Sequence, residues 1–127
     1  MTDEQQALFA KAHRMLKTAR LSLKDGDAES AINRAYYAAF HAATAALLAV
    51  GETPKTHSGS HHRFYRHYVK KGPLTKDIGR TLSFAYELRQ RADYEAFTVF
   101  DEAAAADLIT DVEAFVRAVE EMLDAAA

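Results

Sequence analysis

A chain of 127 residues, 49% hydrophobic and 27% charged with a formal net charge of −2, is sized for a single domain, residues 1–127, around one core. The lack of cysteine excludes a disulfide framework and any thiolate metal site, and no apolar run reaches the roughly 18 residues that cross a bilayer. The opening Met1-Thr2-Asp3-Glu4-Gln5-Gln6 lacks the basic-then-apolar pattern of a secretory signal, so a cytoplasmic protein without membrane contact is expected.

Leu8, Ala12, Met15, Leu16, Ala19 and Leu23 recur at helical spacing and predict a first helix over residues 3–24. Asp25-Gly26-Asp27 supplies a glycine stop and then an Asp cap for a second helix over residues 28–50, closed by Gly51 with Pro54 beyond. Thr56-His57-Ser58-Gly59 opens a third, shorter helix carrying Phe64, Tyr65, Tyr68 and Val69, ended by Gly72-Pro73. A fourth helix starts near Thr75 and runs to about Tyr94. Residues 95–100 are locally strand-like, but an isolated strand has nothing to pair with. They read as an extended connector that packs Phe97 and Phe100 onto the bundle. Asp101 then caps a last helix, whose stripe includes Ala105, Leu108, Val112, Phe115, Val119 and Leu123. Four long helices with one shorter helix predict an all-α antiparallel bundle. Because alanine supplies much of the apolar count, the helices must pack closely, and an apolar face is expected to be left for a partner.

The small net charge hides an asymmetry. Lys55, Arg63, Arg66, Lys70, Lys71, Lys76 and Arg80 are opposed over their span only by Asp77, whereas from Asp93 onward acidic residues face Arg117 alone. Such halves can neutralise each other, pair with another copy, or present the basic half to a polyanion.

Two segments carry candidate chemistry. In Asn33-Arg34-Ala35-Tyr36-Tyr37-Ala38-Ala39-Phe40-His41-Ala42-Ala43, Arg34 and His41 share one helical face about 10 Å apart along the axis. A cation on a largely apolar helix calls for an anionic partner or water. In Glu87-Leu88-Arg89-Gln90-Arg91-Ala92-Asp93-Tyr94, Arg89 and Asp93 are neighbours on one face, which by itself reads as a local ion pair. Joined to Arg34 and His41 it would close a polar patch holding a cation for phosphate, an imidazole for proton transfer and a phenol. His57 and His61, four apart, have the spacing of a helical metal pair, but nearby cations and the lack of a close carboxylate argue against a metal. His57 is otherwise a cap of the third helix or a member of the patch. Arg63, Arg66, Lys70 and Lys71, with Tyr65 and Tyr68, form either a solvated basic face or a surface for an RNA backbone with aromatic stacking. A Gly-rich phosphate loop is missing, so the chain is not itself a nucleotidyltransferase.

The Asn33–Ala43 run and the later Arg89…Ala92-Asp93-Tyr94 resemble the HEPN family. Between them, Lys55-Thr56-His57-Ser58-Gly59…Phe64…Tyr68-Val69-Lys70-Lys71-Gly72 is similar to its short free-standing bacterial and archaeal branch. The resemblance covers nearly the whole chain. It implies a helical bundle that forms homodimers, and a component of a toxin–antitoxin or defence system encoded beside a minimal nucleotidyltransferase. Active members of the family are metal-independent ribonucleases, and the resemblance implies no cofactor. Their motif is an arginine followed a few residues later by a histidine, often with a tyrosine just beyond that can accept AMP from the partner.

This sequence departs from that motif. Arg89 and Tyr94 are present, but Asp93 stands near the place of the histidine, and the Arg34…His41 pair lies on the second helix. The resulting expectation makes His41 the general base, Arg34 and Arg89 phosphate ligands beside Asp93, and Tyr94 the AMP acceptor. His57, Arg63, Arg66, Lys70 and Lys71 would contact RNA. The competing reading is a non-catalytic adaptor that binds a nucleotide or the partner protein.

Overall fold

The computed structural model describes residues 1–126, and these form five α-helices with no strand among the described residues. Helix α1 (Asp3–Lys24) begins with a capping box. The Thr2 hydroxyl accepts from the Gln5 N–H at 3.2 Å, and the Gln5 side chain accepts from the Thr2 N–H at 2.9 Å. Gly26, at φ 81°, takes the left-handed turn that lets the chain reverse into α2 (Ala28–Ala49). Asp27 caps α2 by accepting from the Ser30 N–H at 3.1 Å. Opposed contacts fix the antiparallel register of α1 and α2: the Gln5 amide donates to the Ala45 carbonyl at 3.0 Å, while Arg34 lies against Met15.

Helix α3 (His57–Tyr65) is capped by the Thr56 hydroxyl and continues directly into a π-helical turn (Arg66–Lys70), where a single helix is expected from the apolar spacing. The wider turn lets Tyr68 reach α2, where its hydroxyl donates to the Ala46 carbonyl. Helix α4 (Lys76–Tyr94) starts at the Thr75 cap and packs tightly on that turn. A Cβ at Gly79 would lie 2.5 Å from Val69 Cγ2, so the approach requires glycine. Helix α5 (Glu102–Ala126) begins where Asp101 accepts from the Ala104 N–H at 2.9 Å.

Helix α2 is the central element and touches α1, α3, α4 and α5. Its Ala31, Ala35, Ala38, Ala39, Ala42, Ala43, Ala45 and Ala46 are wholly buried, together with Ile32 and Tyr36. Small side chains here allow four neighbours to close on one helix. The expected apolar alanine face for a partner is therefore absent from α2, because the chain covers it with its own helices. A second expectation also fails. Phe97 is 99% exposed rather than packed on the bundle, and only Phe100 turns inward, with the Arg91 guanidinium 5.5 Å from its ring centre.

The two charged halves do not neutralise each other. Acidic α5 pairs with α1, through Arg20–Glu113 at 2.6 Å and His13–Glu120 at 3.1 Å. The basic stretch draws instead on Glu52, which lies 4.0, 3.6 and 3.0 Å from Arg63, Arg66 and His67.

Candidate functional site

The face of α2 that carries Arg34, Tyr37 and His41 forms one wall of an open groove of about 360 Å³, and Lys11, Arg14 and Met15 of α1 form the other. The antiparallel pairing of the two helices creates this groove, and the helical period of α2 puts Arg34 and His41 in it together. His41 is half-buried, and its pKa is lowered, first by burial and then by the positive charges of Lys11 and Arg14. At neutral pH the ring is therefore uncharged and able to accept a proton. Thr44, on the same stripe, is turned to its own helix and donates to the Phe40 carbonyl at 2.9 Å.

Arg34 also borders a second, smaller cleft of about 250 Å³ with Glu29, Ser30, Asn33, Ala92 and Asp93. Asp93 in turn lies 3.1 Å from Arg89 Nε. Arg34 thus stands between the His41 groove and the Arg89–Asp93 pair, whereas His41 and Asp93 open onto different clefts. Arg89 itself is largely enclosed, with 18% of its side chain accessible. Its guanidinium lies 5.7 and 5.3 Å from the ring centres of Tyr36 and Tyr37. The Nε–H is buried and makes no aligned hydrogen bond despite its ion-pair distance to Asp93. Tyr94, 78% exposed, projects freely at the end of α4.

Behind Arg89 lies a group that spacing along the chain does not assemble. The Tyr36 hydroxyl is 2.6 Å from His57 Nδ1 and 3.0 Å from His61 Nε2. Tyr86 packs on both imidazoles, with ring centres 5.6 and 4.9 Å away. One hydroxyl can donate to only one of the two nitrogens and must accept from the other. Both rings are thus held in defined tautomers and oriented by the core. His57 joins this internal cluster instead of capping α3 or standing on the basic face. The HxxxH pair read as a metal spacing commits one nitrogen from each ring to Tyr36.

Burial raises the pKa of Tyr36. Burial, with His57 alongside, lowers that of His61 to about 4, and burial and then Arg89 lower that of His57. Both histidines thus have folded pKa values below the unfolded value of about 6.5, so the folded state favours their neutral forms. The stability they contribute is complete above pH ~6.5 and is lost as pH falls toward 4. Urea titrations from pH 7 to pH 4 are expected to show a loss on the order of 2 kcal/mol, after allowing for the partial exposure of these rings. His61→Phe should flatten that slope, and a slope unchanged in this variant would remove His61 as its source.

The basic stretch is less available than its composition implies. Arg63 and Arg66 share Glu52 with His67, whereas Lys70 and Lys71 are exposed and have no carboxylate within 4.0 Å among the described residues. Of the residues lining these sites, Lys11 and Arg14 had no local signal on the amphipathic first helix, and only the α1–α2 pairing reveals them. Tyr36 and Tyr86 read as core aromatics because their periodicity is that of core, and their partners lie on other helices.

The HEPN domain profile matches this chain over residues 5–122. A UPF0332 protein of Thermotoga maritima is 36% identical, over 90% of this chain and 86% of its own. A Methanocaldococcus jannaschii protein whose name makes it a candidate toxin is 34% identical, over 95% of this chain and 90% of its own. In fold, the chain is similar to the crystal structure of TT1696 from Thermus thermophilus, with a TM-score of 0.76 at 20% identity, covering 94% of this chain and 98% of that one.

Proposed function

The chain belongs to the HEPN family, and from that premise we propose that it is a toxin-class, RNA-directed component of a two-protein system whose other member is a minimal nucleotidyltransferase. The carrying observation is the half-buried His41 imidazole sharing a groove with Arg34. His41 would take the proton from a ribose 2′-hydroxyl as that oxygen attacks the adjacent phosphorus. Arg34 would stabilise the charge that grows on the phosphoryl oxygens. The bond from phosphorus to the 5′ oxygen breaks, the proton passes through solvent to that leaving oxygen, and the products are a 2′,3′-cyclic phosphate and a 5′-hydroxyl. No metal ion is required for this chemistry. The test is cleavage of RNA in EDTA by the wild type and by His41→Ala.

In this reading Lys70 and Lys71 guide the strand, with Arg63 and Arg66 available once Glu52 is displaced, and a homodimer brings two grooves into one assembly. Asp93 acts in the second cleft with Arg89 held against it, and His57 positions Arg89 from behind through Tyr36 and does not touch RNA itself. Tyr94 is the acceptor for AMP, a role favoured by its exposure and its place at a helix end. Incubation with ATP, a divalent cation and a minimal nucleotidyltransferase should add AMP to the peptide containing Tyr94 and not to Tyr94→Phe. Modification of the Phe variant at an undiminished level would move the acceptor elsewhere.

One observation favours a non-catalytic adaptor as the second reading. Asp93 already stands against Arg89, supplying from within the chain the negative charge that a phosphate would otherwise bring. An adaptor would bind its partner or a nucleotide without turnover, and His41→Ala would then alter affinity only.

A further inference from the structure

Three cations converge on the α1–α2 groove without a counter-charge. Lys11, Arg14 and Arg34 are exposed, and none has a carboxylate within 4.0 Å among the described residues. The groove lining contains no acidic side chain. Several other arginines are paired, Arg20 with Glu113, Arg63 and Arg66 with Glu52, Arg80 with Asp77, and Arg91 with Glu95, and the unpaired Lys70 and Lys71 do not share a groove with a half-buried histidine. Like charges gathered around a half-buried imidazole repel one another, and Lys11 and Arg14 add to burial, the larger cause, in disfavouring protonation of His41. A bound dianion or phosphodiester would relieve that repulsion.

We infer that Lys11 and Arg14 of α1, with Arg34 of α2, form a phosphate-binding site beside His41. The site places the phosphate group on α1–α2 and not at the Asp93-occupied Arg89. Arg14 and Arg34 offer planar guanidinium donors suited to paired phosphate oxygens, and Lys11 adds a mobile point charge. Met15 and Tyr37 give the groove an apolar floor, and the volume of about 360 Å³ holds a phosphate with its attached sugar. The inference deepens the proposed RNA-directed role, on which it rests, by adding two ligands from a helix outside both sequence motifs, but binding of phosphate does not require that cleavage occur.

The test uses a short 2′-O-methyl RNA, which cannot be cleaved through its 2′ oxygen, in fluorescence anisotropy at several salt concentrations. Lys11→Gln/Arg14→Gln is compared with Lys17→Gln/Lys24→Gln, which removes two charges from the same helix away from the groove. The groove variant should bind about tenfold or more weakly, and its salt slope should fall by about 1.4, at about 0.7 for each phosphate no longer neutralised. The second variant should stay close to wild type. Equal weakening of both variants would reduce the site to general electrostatic attraction and overturn the inference. In a parallel arm, inorganic phosphate or AMP is titrated while the His41 ring protons are followed by NMR. A shift in wild type that is abolished in Lys11→Gln/Arg14→Gln, without RNA binding, assigns the site to a small phosphate ligand and sustains it. No response to RNA, phosphate or AMP overturns it. RNA binding through Lys11 and Arg14 with no turnover of ordinary RNA would sink the ribonuclease reading alone, whereas turnover undisturbed by their loss would sink the site alone.

Discussion

RNA cleavage in EDTA is expected to fall by about 10²–10⁴-fold in His41→Ala, the usual contribution of a positioned general base. The fold should persist, because His41 is only half-buried at the edge of the α1–α2 pair and makes no hydrogen bond on which either helix depends. Circular dichroism should show unchanged helix content, so a fall in activity can be assigned to chemistry and not to unfolding. Cleavage should rise with pH through the titration of His41, with its midpoint below the ordinary histidine value of about 6.5, since burial, Lys11 and Arg14 all lower its pKa. Arg34→Gln should lower the plateau without moving its midpoint far, because Arg34 acts on phosphate charge and not on the proton. Undiminished cleavage by His41→Ala would mean that another group is the base. No cleavage by either protein, on tRNA and mRNA alike, would transfer the weight to the adaptor reading.

The largest expected effect on stability is at Tyr36, which is wholly buried and serves both His57 and His61 through one hydroxyl. Tyr36→Phe keeps the ring but leaves two partly buried imidazole nitrogens without their common partner. A cost of about 1–3 kcal/mol follows from the unmade hydrogen bonds. Tyr36→Ala also empties a site bordered by Tyr37, Phe40, Tyr86 and Arg89, and is expected to cost about 3–5 kcal/mol. Thermal unfolding should report this as a fall in Tm of roughly 10 °C or more for the alanine variant and a few degrees for phenylalanine. A Tyr36→Phe protein as stable as wild type at pH 7 would show that the shared hydroxyl contributes nothing net to the fold. Because Tyr36 also underlies Arg89, a shift of that side chain in Tyr36→Ala would expose the buried Nε–H and loosen its approach to Asp93.

Local signals in the sequence determined the five helices and most of their ends. Thr2, Asp27, Thr56, Thr75 and Asp101 cap helices because a short side-chain oxygen satisfies the free N–H groups of a first turn wherever it occurs. Gly26 and Gly51 stop helices because only glycine takes positive φ without strain. The sharing of a groove by Arg34 and His41 was equally legible, since it depends on the period of one helix. Contacts between elements decided the rest. Periodicity marks a side chain as inward but cannot say which helix it will meet, so Tyr36 could be read as core and not as the partner of two histidines. Glu52 lies in a loop and gives no sign that it will quiet Arg63 and Arg66. The alanines of α2 suggest an exposed seam until four helices are seen to surround them, and Phe97 suggests a core anchor until the connector turns it to solvent. Lys11 and Arg14 are ordinary surface cations on an isolated α1. They become part of a candidate site only because the turn at Gly26 folds α1 back against α2. Electrostatic and proton-transfer chemistry depends on distances in space, which helical period sets within one element and packing alone sets between two.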